Sequence, residues 1–181
     1  MGESVLWNAS NHQPRRGNVA VAFRLNVVID HAQLEVMNEF QLNERLAAGS
    51  VDLGRHGICR VLLKNQAHFL WIVLVPEVPE TITELHHLSE DDYRAVMFSI
   101  RAFSAFVEAS FAVDKINVAS IGNQVRQLHI HVVGRKQDDI AWPGVVWACS
   151  EKLHYESAEW TRRQNLIREF IAKNQPTSGY C

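Results

Sequence analysis

The chain has 181 residues, of which 47% are hydrophobic and 21% are charged, a length and balance typical of one globular domain with a single core. Its formal net charge is −2 with histidine neutral, so the composition lacks the basic character of proteins that bind polymeric nucleic acid.

The cysteines and the apolar runs argue against two further classes. Cys59, Cys149 and Cys181 are odd in number and far apart, which predicts neither a disulfide framework nor a zinc-binding pair. We expect no metal or other cofactor, and a reducing, cytoplasmic setting. The longest apolar run, from Phe69 to Pro76, is much shorter than the roughly 20 residues that span a bilayer, so no membrane partner is predicted.

Three regions are predicted along the chain. Residues 1–36 form an N-terminal extension that is partly disordered, because its start collects polar residues, proline and glycine. Residues 37–150 form the folded domain, and residues 151–181 form a C-terminal helical tail. At the start of the domain, residues 38–48 are a candidate for a short helix that Gly49 ends.

A hairpin and a long helix follow. Residues 59–64 and 70–75 are short and rich in large aliphatic side chains, which predicts two buried, consecutive strands. Ser89 is a good N-cap for a helix that runs to about Phe111, because acidic residues fill its first turn. Apolar residues recur at spacings of three and four and predict its core face: Tyr93, Val96, Met97, Ile100, Phe103, Phe106 and Val107.

The second half of the chain repeats the strand pattern and ends in a helix. Residues 115–120 and 127–133 are predicted strands, and residues 157–173 are a candidate for a helix in the tail. The order strand, strand, long helix, strand, strand predicts an α+β fold, with a mainly antiparallel sheet and helices packed on one face.

The predicted strand 127–133 carries the residues with chemical potential. Side chains alternate along a strand, so Gln127, His129 and His131 share one face. Three interpretations fit this row. The two imidazoles could hold a metal ion, although zinc would need further ligands. They could attack and stabilise a phosphate. They could also be polar residues on a solvated sheet face.

The surroundings of these histidines resemble a known signature. The segment Gly122-Asn-Gln-Val-Arg-Gln-Leu-His-Ile-His-Val-Val-Gly-Arg135 is similar to that of the histidine triad (HIT) superfamily, in which histidines alternate with apolar residues after a glycine turn. The similarity covers about residues 58–147, including the two apolar strands and the long helix. It implies a HIT-like α+β fold with an antiparallel sheet of about five strands, one long helix and shorter flanking helices.

The resemblance also implies roles for individual residues. His129 matches the nucleophile that takes up a nucleotidyl or phosphoryl group, and His131 matches the histidine that contacts the phosphate and the leaving group. Gln127 stands where the first histidine of the triad belongs, and we expect it to support catalysis. The chain is therefore a Gln-x-His-x-His variant, and glutamine cannot carry a proton between two charge states.

Four further residues are expected to bind substrate. Asn65 resembles an asparagine near the nucleoside end of the pocket. Asn123 stands at the position of a phosphate-binding glutamine, and Gln124 follows it in the same turn. Trp142 begins a Trp-Pro segment that closes the site in some family members. The histidine that buttresses the site in many members is replaced by residues 69–71, so this support is expected to be absent unless His68 supplies it.

These matches predict a nucleotide-binding hydrolase or nucleotidyl transferase. Its substrate would be a nucleoside phosphate, a phosphoramidate or a dinucleoside polyphosphate, and it would act through a covalent nucleotidyl-histidine, with the leaving group protonated by His131 or water. Two alternatives stay open: a nucleotide-binding protein with little catalysis, and a metal-binding module. The resemblance also implies a homodimer.

Overall fold

Five antiparallel strands form one open sheet in the order β1-β2-β3-β5-β4. The computed structural model describes residues 40–176, so the predicted extension of residues 1–36 lies outside the described residues. The strands are β1 (Ser50–His56), β2 (Cys59–Lys64), β3 (Leu70–Pro76), β4 (Lys115–Ala119) and β5 (Ile130–Arg135). The predicted α+β fold, with about five antiparallel strands and one long helix, is confirmed.

The edge strand β1 is not anticipated by the sequence pattern. It pairs with β2, but the register shifts between Asp52 and Arg55, and Gly54 takes a positive φ of 104° there. A bulge of this kind interrupts the alternation by which a strand is recognised. The short helix predicted for residues 38–48 is also shorter than expected, since α1 spans only Glu44–Ala47.

The long helix α2 (Glu90–Ser110) begins where the sequence predicts. The Ser89 hydroxyl accepts a hydrogen bond from the Asp92 N–H at 3.1 Å and so caps the first turn. Five of the seven predicted core residues of this helix are buried. Tyr93 and Met97 are 44% and 40% exposed, because the helix turns them away from the sheet near its N-terminal end.

Each face of the sheet carries its own apolar cluster. The first lies between the sheet, α2 and α3 (Ser157–Lys173) and contains Leu128, Ile130 and Val132 from the segment that enters β5. The second lies on the opposite face and contains Trp71, Val73 and Val133. This second face is the one on which His129 and His131 lie.

The C-terminal helix is part of the same compact unit as the sheet. Its bounds agree with the helix predicted at residues 157–173. Ile167 and Ile171 pack into the first cluster. Buried His56 secures the end of the helix, with Nδ1 2.9 Å from Ser99 Oγ and Nε2 2.8 Å from the Asn174 carbonyl oxygen. Among the helices of residues 40–176, none has the length and apolarity to cross a membrane.

Candidate active site

Two imidazoles lie side by side where the chain enters β5. His129 and His131 are 5% and 7% exposed, and their ring centroids are 4.9 Å apart. Leu128 and Ile130 point to the opposite face, where they join the first cluster. The predicted alternation is therefore present, and it places both rings on the second face of the sheet.

A backbone contact fixes the tautomer of His129. Its Nδ1 lies 2.7 Å from the carbonyl oxygen of Gln127, and a carbonyl oxygen can only accept a hydrogen bond, so Nδ1 carries the proton. Nε2 then keeps its lone pair. Burial lowers the pKa of His129 below its ordinary value, the bond to Gln127 opposes this shift, and the charge of Lys64 adds to it. His129 is thus a neutral imidazole with a nucleophilic Nε2.

His131 has the opposite tautomer. The indole N–H of Trp71 donates to its Nδ1 at 2.9 Å, and because an indole nitrogen can only donate, the proton of the neutral ring is on Nε2. Burial, reinforced by His129 and Lys64, lowers the pKa of His131 to about 3. At neutral pH the ring is therefore a hydrogen-bond donor through Nε2.

Trp71 supports His131, although the sequence predicts that such support is absent. The expected loss of support at residues 69–71 is corrected, because the indole N–H of Trp71 contacts His131. His68 does not take this role. Its ring stands 6.2 Å from that of Phe69, and it borders a different pocket, beside Ala112 and Arg163.

Gln127 is placed differently from the sequence expectation. Its Nε2 donates to the carbonyl oxygen of Gln41 at 2.8 Å, and its Oε1 accepts from the N–H of Asn43 at 2.9 Å. Both ends of the amide are thus engaged by the segment that leads into α1. The side chain faces that segment and is not among the residues that line the cavity at His129. Only its backbone carbonyl reaches the His129 ring.

A cavity of about 660 Å³ opens in front of the two histidines. The predicted residues Asn65, Asn123 and Gln124 line it together with His129 and His131. Asn123 and Gln124 are exposed, so their amides are free to meet a ligand from solvent. Asn65 is half-buried, and its Oδ1 accepts from the backbone N–H of Tyr155 at 2.8 Å. The structure therefore brings these five predicted residues to one site.

Two tryptophans, Trp142 and Trp147, lie in the loop after β5, and of these only Trp147 lines the cavity. The guanidinium of Arg135 lies over the Trp142 ring, 5.6 Å from the ring centroid. Trp147 packs against Trp71 and His131, with centroids 5.6 Å and 5.3 Å apart. The sequence could not choose between them, since both belong to one loop and only its folding decides which ring turns inward. We therefore transfer the expected substrate contact from Trp142 to Trp147.

A further wall of the cavity comes from a segment that carries no recognised motif. Residues 149–155, here called the strap, run past the turn between β2 and β3. The amide of Gln66 donates to the Glu151 carbonyl oxygen at 2.9 Å and accepts from the Leu153 N–H at 3.1 Å. The Ala67 N–H donates to the Leu153 carbonyl oxygen at 2.6 Å. Glu151 and Lys152 line the cavity from the strap, as do Cys149 and His154.

The metal-binding interpretation gains no support from the site. Within residues 40–176, no group of three or more His, Cys, Asp or Glu side chains is arranged to hold a metal ion. A zinc site would need three or four such ligands. In both histidines Nδ1 is already engaged by a protein group. His131 carries its proton on Nε2, where a metal ligand would need a lone pair.

Comparisons with known proteins agree with this geometry. The HIT domain model matches residues 49–138. A similar solved structure is that of a histidine triad protein from Bradyrhizobium japonicum, with 31% identity, 73% of this chain and 98% of that chain covered, and a TM-score of 0.70. The histidine triad protein from Marinobacter aquaeolei VT8 has 36% identity, with 74% of this chain and 97% of that chain covered and a TM-score of 0.70. The histidine triad (HIT) protein from Sinorhizobium meliloti 1021 has 33% identity, with 76% of this chain and 98% of that chain covered and a TM-score of 0.67. No match was found among curated proteins. The chain belongs to the HIT family.

Proposed function

We propose that the protein is a nucleotide-binding hydrolase or nucleotidyl transferase that acts through a covalent nucleotidyl-His129. Its substrates are nucleoside phosphates, phosphoramidates or dinucleoside polyphosphates. One observation carries the proposal: two adjacent buried imidazoles have opposite tautomers, so one offers a lone pair and the other a proton at Nε2. A nucleophile beside a hydrogen-bond donor is what displacement at phosphorus requires.

In the first step, Nε2 of His129 attacks the α-phosphorus. A bond forms between this nitrogen and phosphorus, the bond from phosphorus to the leaving group breaks, and its electron pair stays with the leaving group. The ring becomes a cation, and its Nδ1–H bond to the Gln127 carbonyl oxygen at 2.7 Å stabilises that charge.

His131 assists this step as a hydrogen-bond donor. Its Nε2–H is directed to a phosphate or bridging oxygen, where negative charge increases in the transition state. The ring is neutral and its Nδ1 is occupied by Trp71, so loss of the Nε2 proton would leave an imidazolate. We therefore revise the expectation that His131 protonates the leaving group: a proton, where one is needed, comes from water.

In the second step, water attacks the phosphorus of the nucleotidyl-histidine. The phosphorus–nitrogen bond breaks, its electron pair returns to Nε2 of His129, and one proton of the water is released to solvent. A different acceptor in place of water makes the same intermediate a nucleotidyl transferase. Asn123 and Gln124, at the exposed side of the cavity, bind the non-bridging oxygens, and Asn65 and Trp147 contact the nucleoside.

We also propose a cytoplasmic homodimer, as the family resemblance implies. Strand β4 lies at one edge of the sheet, where a second copy can pair with it, and Val118 on it is 46% exposed. The thiols of Cys59 and Cys149 are unpaired, in keeping with a reducing compartment. Light scattering is expected to give twice the mass of one chain, and a single-chain mass contradicts the dimer.

The mechanism is tested by covalent trapping. We expect incubation with adenosine and guanosine phosphoramidates and polyphosphates to add the mass of one nucleotidyl group to the intact protein. His129→Ala removes the adduct, and His68→Ala, which changes a histidine outside the cavity, retains it. A nucleotide-binding protein without turnover is the second candidate. Its basis is that the Gln127 amide bonds the backbone of residues 41 and 43, so that only His129 and His131 of the three triad positions line the cavity. Binding without adduct or product across the panel favours that candidate.

A further inference from the structure

Two lysines enter the cavity from different directions. Lys64 ends β2, and Lys152 belongs to the strap. The ammonium of Lys64 lies 5.9 Å from the centroid of the Trp71 ring, and Trp71 is the donor to His131. Lys64 therefore lies beside the pair of histidines, and its charge acts on both rings.

These lysines create a local excess of positive charge. Among the described residues, no ion pair includes Lys64 or Lys152. Glu151 contributes the one carboxylate in the lining of the cavity. Burial lowers the pKa of Lys64, and the charge of Lys152 lowers it further. Two ammonium groups that repel each other in a partly dry cavity are stabilised when an anion binds between them.

The tautomer of His131 points in the same direction. A neutral ring with its proton on Nε2 can polarise a bridging oxygen but cannot supply a proton at neutral pH. An amine or alkoxide leaving group needs such a proton, because it is a strong base. A phosphate leaving group does not, because it is stable as an anion. For the first class, water is the proton donor that the proposed mechanism supplies, whereas for the second class the cavity has unpaired cations among the described residues.

From these observations we propose that Lys64 and Lys152 form a subsite for an anionic leaving group, a phosphate or a phosphorylated moiety attached to the α-phosphorus through oxygen. The inference rests on the proposed function. In the first step the α-phosphorus–oxygen bond breaks, the electron pair remains on the bridging oxygen, and the phosphate departs as an anion beside the two ammonium groups. No proton is transferred. Lys152 lies beyond the residues matched by the HIT domain model, which end at 138, and the strap that carries it completes the subsite.

The test is binding, measured separately from turnover. Calorimetry at fixed ionic strength compares nucleoside 5′-monophosphates with their α,β-methylene diphosphate analogues, whose bridging carbon resists cleavage, for adenosine and guanosine. In the unmodified protein the diphosphate analogue is expected to bind about tenfold more tightly, as for a charge-assisted contact. Lys64→Met and Lys152→Met each reduce that preference to about threefold or less. Lys115→Met, an exposed lysine on β4 outside the cavity, leaves it unchanged.

The outcomes separate the inference from the proposed function. Equal affinity for monophosphate and diphosphate analogue in the unmodified protein overturns the lysine subsite and leaves the nucleotide site standing. A preference that survives both substitutions overturns it as well. Absence of binding by every nucleotide overturns the proposed function and this inference with it. Lys152 is exposed on the strap, so Lys152→Glu is expected to leave the fold intact and tests the subsite even if Lys64→Met unfolds the sheet. The reversed charge is expected to make the protein bind the monophosphate more tightly than the diphosphate analogue.

Discussion

The two walls of the cavity are built in different ways. The wall that carries His129 and His131 is formed by β5 and the residue directly before it; β5 pairs with β3 on one side and β4 on the other, so backbone pairing holds His131 within the sheet and His129 next to its first paired residue. The strap pairs with no strand. It is held by the side-chain amides of Asn65 and Gln66, by the Tyr155 hydroxyl, which donates to the Phe69 carbonyl oxygen at 2.9 Å, and by the backbone bond from the Ala67 N–H to the Leu153 carbonyl oxygen.

This difference separates chemistry from selectivity. A nucleophile must be held to within a fraction of an ångström, and a central strand gives that precision. Residues that recognise a leaving group can vary on a segment whose changes do not disturb the sheet. We therefore expect substitutions on the strand wall to lower kcat, and substitutions on the strap wall to change the affinity for substrate.

The largest effect is expected for His129→Ala. Loss of Nε2 removes the nucleophile, so turnover falls by at least about 10³-fold while nucleotide binding is retained. Initial rates and intact mass give the measurement, and His68→Ala is the matched control. A variant with more than a tenth of the original rate would place the chemistry elsewhere on the molecule.

The second effect concerns the support of the strand wall. Trp71→Phe keeps a ring against the second cluster but deletes the N–H that donates to His131 Nδ1 at 2.9 Å. The tautomer of His131 is then no longer fixed, and we expect kcat to fall by about tenfold, as for the loss of one buried hydrogen bond. Nitrogen chemical shifts of His131 report the tautomer directly. Trp142→Phe changes a ring outside the cavity and is expected to leave both kcat and these shifts unaltered.

The sequence predicts the strand wall better than the strap. Alternation places His129 and His131 on one face because the period of a strand is a local property, and the glycine turn brings Asn123 and Gln124 beside them. The contacts of Gln127 with residues 41 and 43 join segments more than eighty positions apart. No local pattern encodes such a pairing.

The same limit explains the other differences between expectation and structure. Trp147 rather than Trp142 borders the cavity, and Trp71 supports His131, because tertiary packing decides which ring turns inward. The strap is held by ordinary amide side chains that form no recognisable motif, so its place at the site could not be read from residues 149–155. Strand β1 escapes detection because its bulge at Gly54 breaks the period of two.

The third prediction tests whether Gln127 is a positioning residue. Gln127→Ala removes two hydrogen bonds to the backbone of Gln41 and Asn43 and loosens the residue whose carbonyl orients His129. We expect the free energy of unfolding to fall by about 1 kcal/mol and kcat to fall several-fold. Chemical denaturation and steady-state kinetics measure the two effects.

A matched substitution separates this role from direct catalysis. Gln127→Glu keeps the acceptor for the Asn43 N–H but sets a carboxylate oxygen against the Gln41 carbonyl oxygen, so it should not recover the stability lost in Gln127→Ala. If the amide instead contacted the phosphate, the alanine variant would lose activity with its stability unchanged.

The fourth prediction addresses the strap wall. Gln66→Ala deletes the amide that bonds Glu151 and Leu153, so the strap is less well held over the cavity. We expect KM to rise about threefold, since ordering the strap must then be compensated by substrate binding, with kcat nearly unchanged. A fall in kcat equal to that of Trp71→Phe would show that the strap, like the strand wall, positions the reacting groups. The proposed division between a strand wall that sets kcat and a strap wall that sets affinity would then be wrong.

The smallest effect is expected from pH, and it reports how dry the strand wall is. His129 attacks only as a neutral ring, and burial lowers its pKa below the ordinary value of 6.5. The group therefore stays reactive as pH falls to 6.5, and kcat/KM should change less than about twofold between pH 8 and 6.5, whereas an exposed imidazole loses half its neutral form. The lowered pKa of His129 also makes the stability of the fold depend on pH. Because the folded state binds fewer protons than the unfolded chain, the contribution of His129 to stability is full above pH 6.5 and declines below it. A rate profile with its midpoint at or above pH 6.5 would mean that water reaches His129 freely, and the strand wall would then be no drier than the strap.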